Sequence, residues 1–171
     1  MSISMYKVSA PIFIQFLTAL SGVLDKAAAH AAEKKIDPAV LIGMRLYPDM
    51  FPLARQVRQA TAHAVGTCAR TAGREPPALP DEEATFDDLK KRIAAAVDFI
   101  RTLTPADLDG SEEREIKITT GAGTREFTGQ AYLLNFCLPH FYFHVATAYD
   151  ILRHCGVNLG KRDFMGTPVQ A

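Results

Sequence analysis

The fold turns on the segment Arg74-Glu75-Pro76-Pro77-Ala78-Leu79-Pro80-Asp81-Glu82-Glu83-Ala84-Thr85. Three prolines followed by three acids do not continue a helix, because proline lacks the backbone N–H and clashes with the preceding turn. The stretch therefore reads as a linker, and its length sets the topology. About a dozen residues at roughly 3.3 Å each reach about 40 Å, whereas a turn between antiparallel helices needs only a few residues. Such a linker can carry the chain back along a bundle and leave the helices on its two sides parallel.

The segment before it runs from Tyr47-Pro48-Asp49 to Ala72 with helical spacing and closes on Gly73 as C-cap. Asp49 reads as its N-cap and Pro52 as a first-turn proline. Upstream, from Tyr6 to Lys35, apolar residues including Phe13, Phe16, Leu17, Leu20, Val23, Leu24 and Ala27 recur at three- and four-residue steps. Asp37-Pro38 opens a short helix to about Met44. After the linker, Thr85 caps a third long helix with Asp88 three residues on, and Thr104-Pro105 ends it. Between Glu115 and Phe127 the period changes to two, around the turn Gly121-Ala122-Gly123, which predicts a hairpin. Thr128 then caps a last helix, Gly129 to His154, closed by Gly156, and the tail 158–171 is expected to be loop. These elements predict an all-α single domain over residues 1–171. The fold is a four-helix bundle, up-down-down-up, with a small β-hairpin before the last helix.

The charge balance narrows function. Nineteen Lys and Arg face nineteen Asp and Glu among 171 residues, and 48% of the chain is hydrophobic. Neutralising phosphates needs an excess of basic residues, so neither nucleic acid nor an anionic membrane is an expected partner. The N-terminus lacks a signal-peptide profile, and Cys68, Cys137 and Cys155 are odd in number and without a CxxC, which fits a reducing cytoplasm. The last helix is apolar on more than one face, through Leu133, Phe136, Phe141, Phe143 and others, so a homodimer is expected.

Chemistry concentrates in that helix. His140 and His144 are one turn apart and share a face, the spacing a helix offers a transition metal, although such pairs are common and two apolar-face histidines can also be satisfied by hydrogen bonds within a bundle. Pro139 frees the Asn135 carbonyl and kinks the helix beside them. His30 continues the inward stripe of the first helix and is expected to meet Asp49 at the start of the second. With Gln56 and Tyr149 they form a candidate small-molecule pocket. Asp49 as a simple cap is the plainer reading. Cys137 reads as a buried inert thiol.

The motifs Ala29-His30, Leu46-Tyr47-Pro48-Asp49-Met50-Phe51-Pro52-Leu53-Ala54-Arg55-Gln56-Val57, Phe127-Thr128-Gly129-Gln130, Phe143-His144-Val145-Ala146-Thr147-Ala148-Tyr149 and Leu159-Gly160-Lys161 span nearly the whole chain. Together they resemble the bacterial domain-of-unknown-function family 1993 within the DinB/YfiT-like superfamily, whose topology is up-down-down-up. The resemblance implies a divalent metal, nickel or zinc, between one second-helix histidine and the H-x3-H of the fourth, with thiol-dependent transferase-like chemistry in some members. His140 and His144 match that pair, but the second-helix position falls on Gln56, a poor ligand. In an antiparallel pairing Gln56 is level with His144. His63, one heptad on, then comes to within about 4–5 Å of the level of His140. His63 is thus a candidate third ligand, with a surface histidine as the alternative. Two functions follow: a metal-binding enzyme, or a non-enzymatic ligand-binding or structural homodimer that has lost the metal.

Overall fold

Pro11 opens the first helix, α1 (Ala10–Lys34), in the turn where its missing N–H has no helical partner. Lys35 ends it in the left-handed conformation, and the Lys35 and Ile36 amides donate back to Ala32 and Ala31. This computed structural model describes residues 3–121 and 123–169. Asp37 then caps α2 (Pro38–Gly43) by accepting from the Ala39 amide at 2.9 Å.

The second long helix, α3 (Leu53–Thr71), begins later than its sequence suggests. Residues 44–52 instead form a turn in which the Arg45 guanidinium donates to the carbonyls of Pro48 and Met50. Pro52, not Asp49, occupies the cap position, and its carbonyl accepts from the Gln56 amide at 3.0 Å. The physical reason is local. A residue before proline is disfavoured in helical geometry, so Pro48 and Pro52 each weaken a helix running through Tyr47 and Phe51, and the Arg45 bonds hold the turn that delays the start.

After the linker comes α4 (Phe86–Arg101). Its capping box is complete: the Asp88 amide donates to the Thr85 hydroxyl, and Asp88 accepts from the Thr85 amide. A short α5 (Pro105–Leu108) leads to β1 (Glu115–Thr120) and β2 (Gly123–Thr128), antiparallel with Ile116 opposite Phe127. Gly129 follows, where any side chain would meet the Ser111 carbonyl oxygen at 2.0 Å, so only glycine lets the last helix start against that loop.

That helix runs through α6 (Gly129–Ala131), a six-residue π-helical stretch (Tyr132–Cys137) and α7 (Leu138–His154). The widened turn lies directly before Pro139, and the Leu138 amide reaches back five residues to Leu133. A proline ring in a regular helix clashes with the carbonyl four residues before it, and widening the turn takes up that clash. Gly156 closes the helix at φ 89°. Part of the expected loop tail is helical, α8 (Lys161–Met165), which lies along α1.

Contacts fix the directions. Phe13 and Phe16 meet Phe141 edge-on, and a side chain on Gly156 would touch the His30 ring, so α1 and α7 are parallel. Lys90 pairs with Asp25, while Arg101 shares a cavity wall with Gln15 and Thr18, so α4 is antiparallel to α1. Arg58 pairs with Asp81 and Glu83 just ahead of α4, and Arg92 donates to Thr61, which makes α3 and α4 parallel. Gln56 meets His144 and Arg70 meets Tyr132, so α3 and α7 are antiparallel. The bundle is up-down-down-up, and the linker does run back along it.

Among the described residues α1 alone is long and apolar enough to cross a membrane. Eleven of its residues, among them Phe13, Leu17, Leu20 and Leu24, are buried in the core.

Candidate metal centre

The antiparallel register of α3 and α7 brings three histidines together. Gln56 is level with His144 and Arg70 with Tyr132, so His63, midway, faces His140. The His63 and His140 rings stack with centroids 4.8 Å apart, and His63 lies 5.6 Å from the His144 ring. One ring nitrogen from each of the three lies within 4.8 Å of the others. His144 is buried, His63 half-buried and His140 exposed, so the cluster lies at the surface end of a polar seam.

Gln56 determines how His144 presents itself. The Gln56 amide nitrogen donates to the Phe51 carbonyl at 3.0 Å, which leaves its oxygen facing His144 Nδ1 at 2.7 Å. Gln56 Oε1 can only accept, so Nδ1 carries the proton and the Nε2 lone pair is left for the cluster. This is the outer-shell arrangement by which a metal-ligating histidine is held in one tautomer and orientation. Phe51 also stacks on the His144 ring, at 12° between planes.

Electrostatics keeps the donors available. Burial, then the neighbouring His140 and His144, then Arg70, push the His63 pKa down to about 4. Burial and His140 push His144 down to about 4 as well. At neutral pH both are uncharged imidazoles, the form that binds metal. A tetrahedral ion with Zn–N bonds of 2.0–2.1 Å would hold its nitrogens about 3.4 Å apart. The three nitrogens already lie within 4.8 Å of one another, and neutral imidazole is a donor that suits nickel and zinc, so the residues present fit a divalent ion.

A groove of about 680 Å³ opens over the histidines, walled by Phe51, Gln59, Phe136, Pro139 and Phe143. A larger cavity of about 1060 Å³ lies elsewhere, between α1 and the tail, with no histidine in its wall.

The family described as "Domain of unknown function (DUF1993)" matches over residues 5–165. The chain belongs to the DUF1993 family. A solved structure of a DinB family member protein from Shewanella denitrificans is 35% identical to this DUF1993 chain, covers 97% of it and 94% of its own length, and superposes with a TM-score of 0.86. No curated protein matches the chain.

In the DUF1993 chain the expected trio of His63, His140 and His144 is drawn together, and Gln56 lies beside it as a hydrogen-bond partner. The other expected grouping is not assembled. Asp49 is exposed in the 44–52 turn, and no hydrogen bond or ion pair among the described residues joins it to His30. Tyr149 packs on Phe164 of the tail, His30 lies beside Gly156 and Gln56 bonds to His144, and no hydrogen bond or ring contact among the described residues links His30, Asp49, Gln56 and Tyr149 to one another. The cause is the late start of α3, which moves Asp49 off the helix that carries Gln56. Cys137 is fully buried near Tyr132, and burial pushes its thiol up to about 11. The aromatic walls of the groove carried no distinguishing signal in the sequence, because Phe136 and Phe143 read like core residues of an apolar helix.

Proposed function

We propose that this DUF1993 protein binds one divalent ion, nickel or zinc, through His63, His140 and His144, and acts as a metal-dependent enzyme on a small molecule entering from the groove. The observation that carries the reading is the trio itself: three imidazoles converging within 4.8 Å, one of them held in its Nε2-donating tautomer by Gln56. Three protein ligands with an open fourth position is the pattern of catalytic rather than structural zinc. When bound, the ion supplies Lewis acidity or an activated ligand at neutral pH. The chain's own contribution is orientation and shielding. Gln56 aims His144, Phe51 and Phe143 cover its ring, and the low pKa values of His63 and His144 keep protons from competing.

Thiol-dependent transferase chemistry is the finer proposal, resting on the likeness to the DinB-like superfamily and on a groove large enough for a small thiol. A bacterial, cytoplasmic homodimer is proposed with it. The exposure of Phe143 (55%) in the groove wall favours a second reading for part of this surface, namely contact between two copies.

Metal content of tag-free protein tests the main reading. About one divalent ion per chain is expected, with loss of the ion in His63→Ala and His144→Ala variants that keep their helical circular dichroism. Sub-stoichiometric metal that does not rise on adding nickel or zinc would sink it.

A further inference from the structure

We propose that the groove binds a monoanionic ligand with an aromatic body, its single carboxylate or thiolate head against the ion and its ring between Phe51, Phe136 and Phe143. This rests on the metal-binding reading and adds the class of molecule the site takes.

Charge gives the head group. Imidazoles are neutral ligands, so a divalent ion held by three of them keeps its full charge. Among the described residues that line the groove there is no Asp or Glu to offset it. The two charged side chains that act on the groove's lining have the same sign as the ion. The charge of Arg70 is felt at His63, and the Arg55 guanidinium lies 4.2 Å over the Phe51 ring. Neither has a carboxylate partner among the described residues: Arg70 donates to the Tyr132 hydroxyl, and Arg55 rests on Phe51. Uncompensated charge beside apolar walls is costly. An anionic head on the ligand offsets this charge, and a single head suits an ion that already has three protein donors.

The walls give the body. Phe51 is 39% and Phe143 55% exposed, and both flank the histidines instead of packing in the core. Their positions are held from behind, Phe51 by its stack on His144 and Phe136 by contact with His140 at 4.5 Å between centroids. Preorganised rings around an opening of this size favour a flat aromatic guest through edge and face contacts, beyond what burial alone gives.

Cobalt(II)-loaded protein tests this by visible absorption, which reports the fourth ligand directly. Two pairs of probes share a head and differ in body: phenylacetate against acetate, and benzyl mercaptan against 2-mercaptoethanol. The aromatic member of at least one pair is expected to bind about tenfold tighter or more, the scale of burying most of a phenyl ring. The Phe143→Ser variant, altered at an exposed position, is expected to bring that ratio towards one. Ratios near one in both pairs, with cobalt bound, overturn the ligand class and leave the metal reading standing. Failure to take up cobalt overturns both. A dimer that Phe143→Ser dissociates without changing the ratio means that a second copy covers these rings, and this too overturns the proposal.

Discussion

At the scale of single residues, Gln56 shows how one buried amide can specify a site it does not ligate. It is 1% exposed, and both ends of its amide are used, one on Phe51 and one on His144. Gln56→Leu keeps the volume and removes both bonds, leaving the Phe51 carbonyl and His144 Nδ1 without these partners. A stability loss of about 1–3 kcal/mol is expected from urea unfolding. Zinc affinity by competition titration should fall about 10- to 100-fold, the usual effect of losing an outer-shell partner; unchanged affinity would show that His144 needs no orienting. The same neighbourhood sets a pH dependence for the metal-free protein. His63 and His144 take up protons near pH 4 when folded but near 6.5 when unfolded, so between those values the unfolded chain binds more protons. Their contribution to stability is complete above about pH 6.5 and is lost as the pH falls through about 4. Urea midpoints measured across that window should drop, and the drop should shrink in His63→Gln. His63 itself was legible in the sequence, because a heptad on one helix and antiparallel pairing with another are enough to place it. The role of Gln56 was not, since it depends on a carbonyl presented by the irregular turn ahead of α3.

Among the elements, those whose ends are set by side chains next to them in sequence were the readable ones. Thr85 and Asp88 close their capping box within four residues, and Asp37 caps α2 within two, so neither depends on the rest of the fold. Thr85→Ala should therefore cost about 1 kcal/mol, and scanning calorimetry should find the melting temperature lower by about 2–4 °C with metal content unchanged. The start of α3 was misread because two prolines four residues apart each allow a helix to begin, and the Arg45 bonds to Pro48 and Met50 decide for the later one. The π-helical stretch had a partial signal in Pro139, but where a helix absorbs the clash depends on what it packs against. Here Tyr132, Phe136 and Cys137 lie against the hairpin residues Ile116 and Phe127.

For the molecule as a whole, topology followed from linker length, and the structure adds the reason that the linker holds its course. Arg92 is buried and donates to both Thr61 on α3 and the Pro80 carbonyl, while Arg58 holds Asp81 and Glu83. The linker is thus fastened to the two parallel helices it joins, and the core behind them is closed on that side. The cysteines can report how tightly it is closed. Cys68 on α3 and Cys137 at the end of the π-helical stretch are fully buried, and burial pushes both thiols above their ordinary range, whereas Cys155 is half-buried at the end of α7. Since the thiolate is the reacting form, both buried thiols are protected twice, by access and by ionisation. With a chromogenic disulfide reagent at pH 8 one thiol per chain, Cys155, should react in native buffer, and Cys155→Ser should abolish that phase. The other two should react together at a rate set by unfolding, accelerated by urea and slowed by added zinc, because an ion that binds only the folded bundle suppresses opening. Three thiols reacting at one rate in native buffer would mean that α3 and α7 part far more readily than their shared core and histidine seam imply.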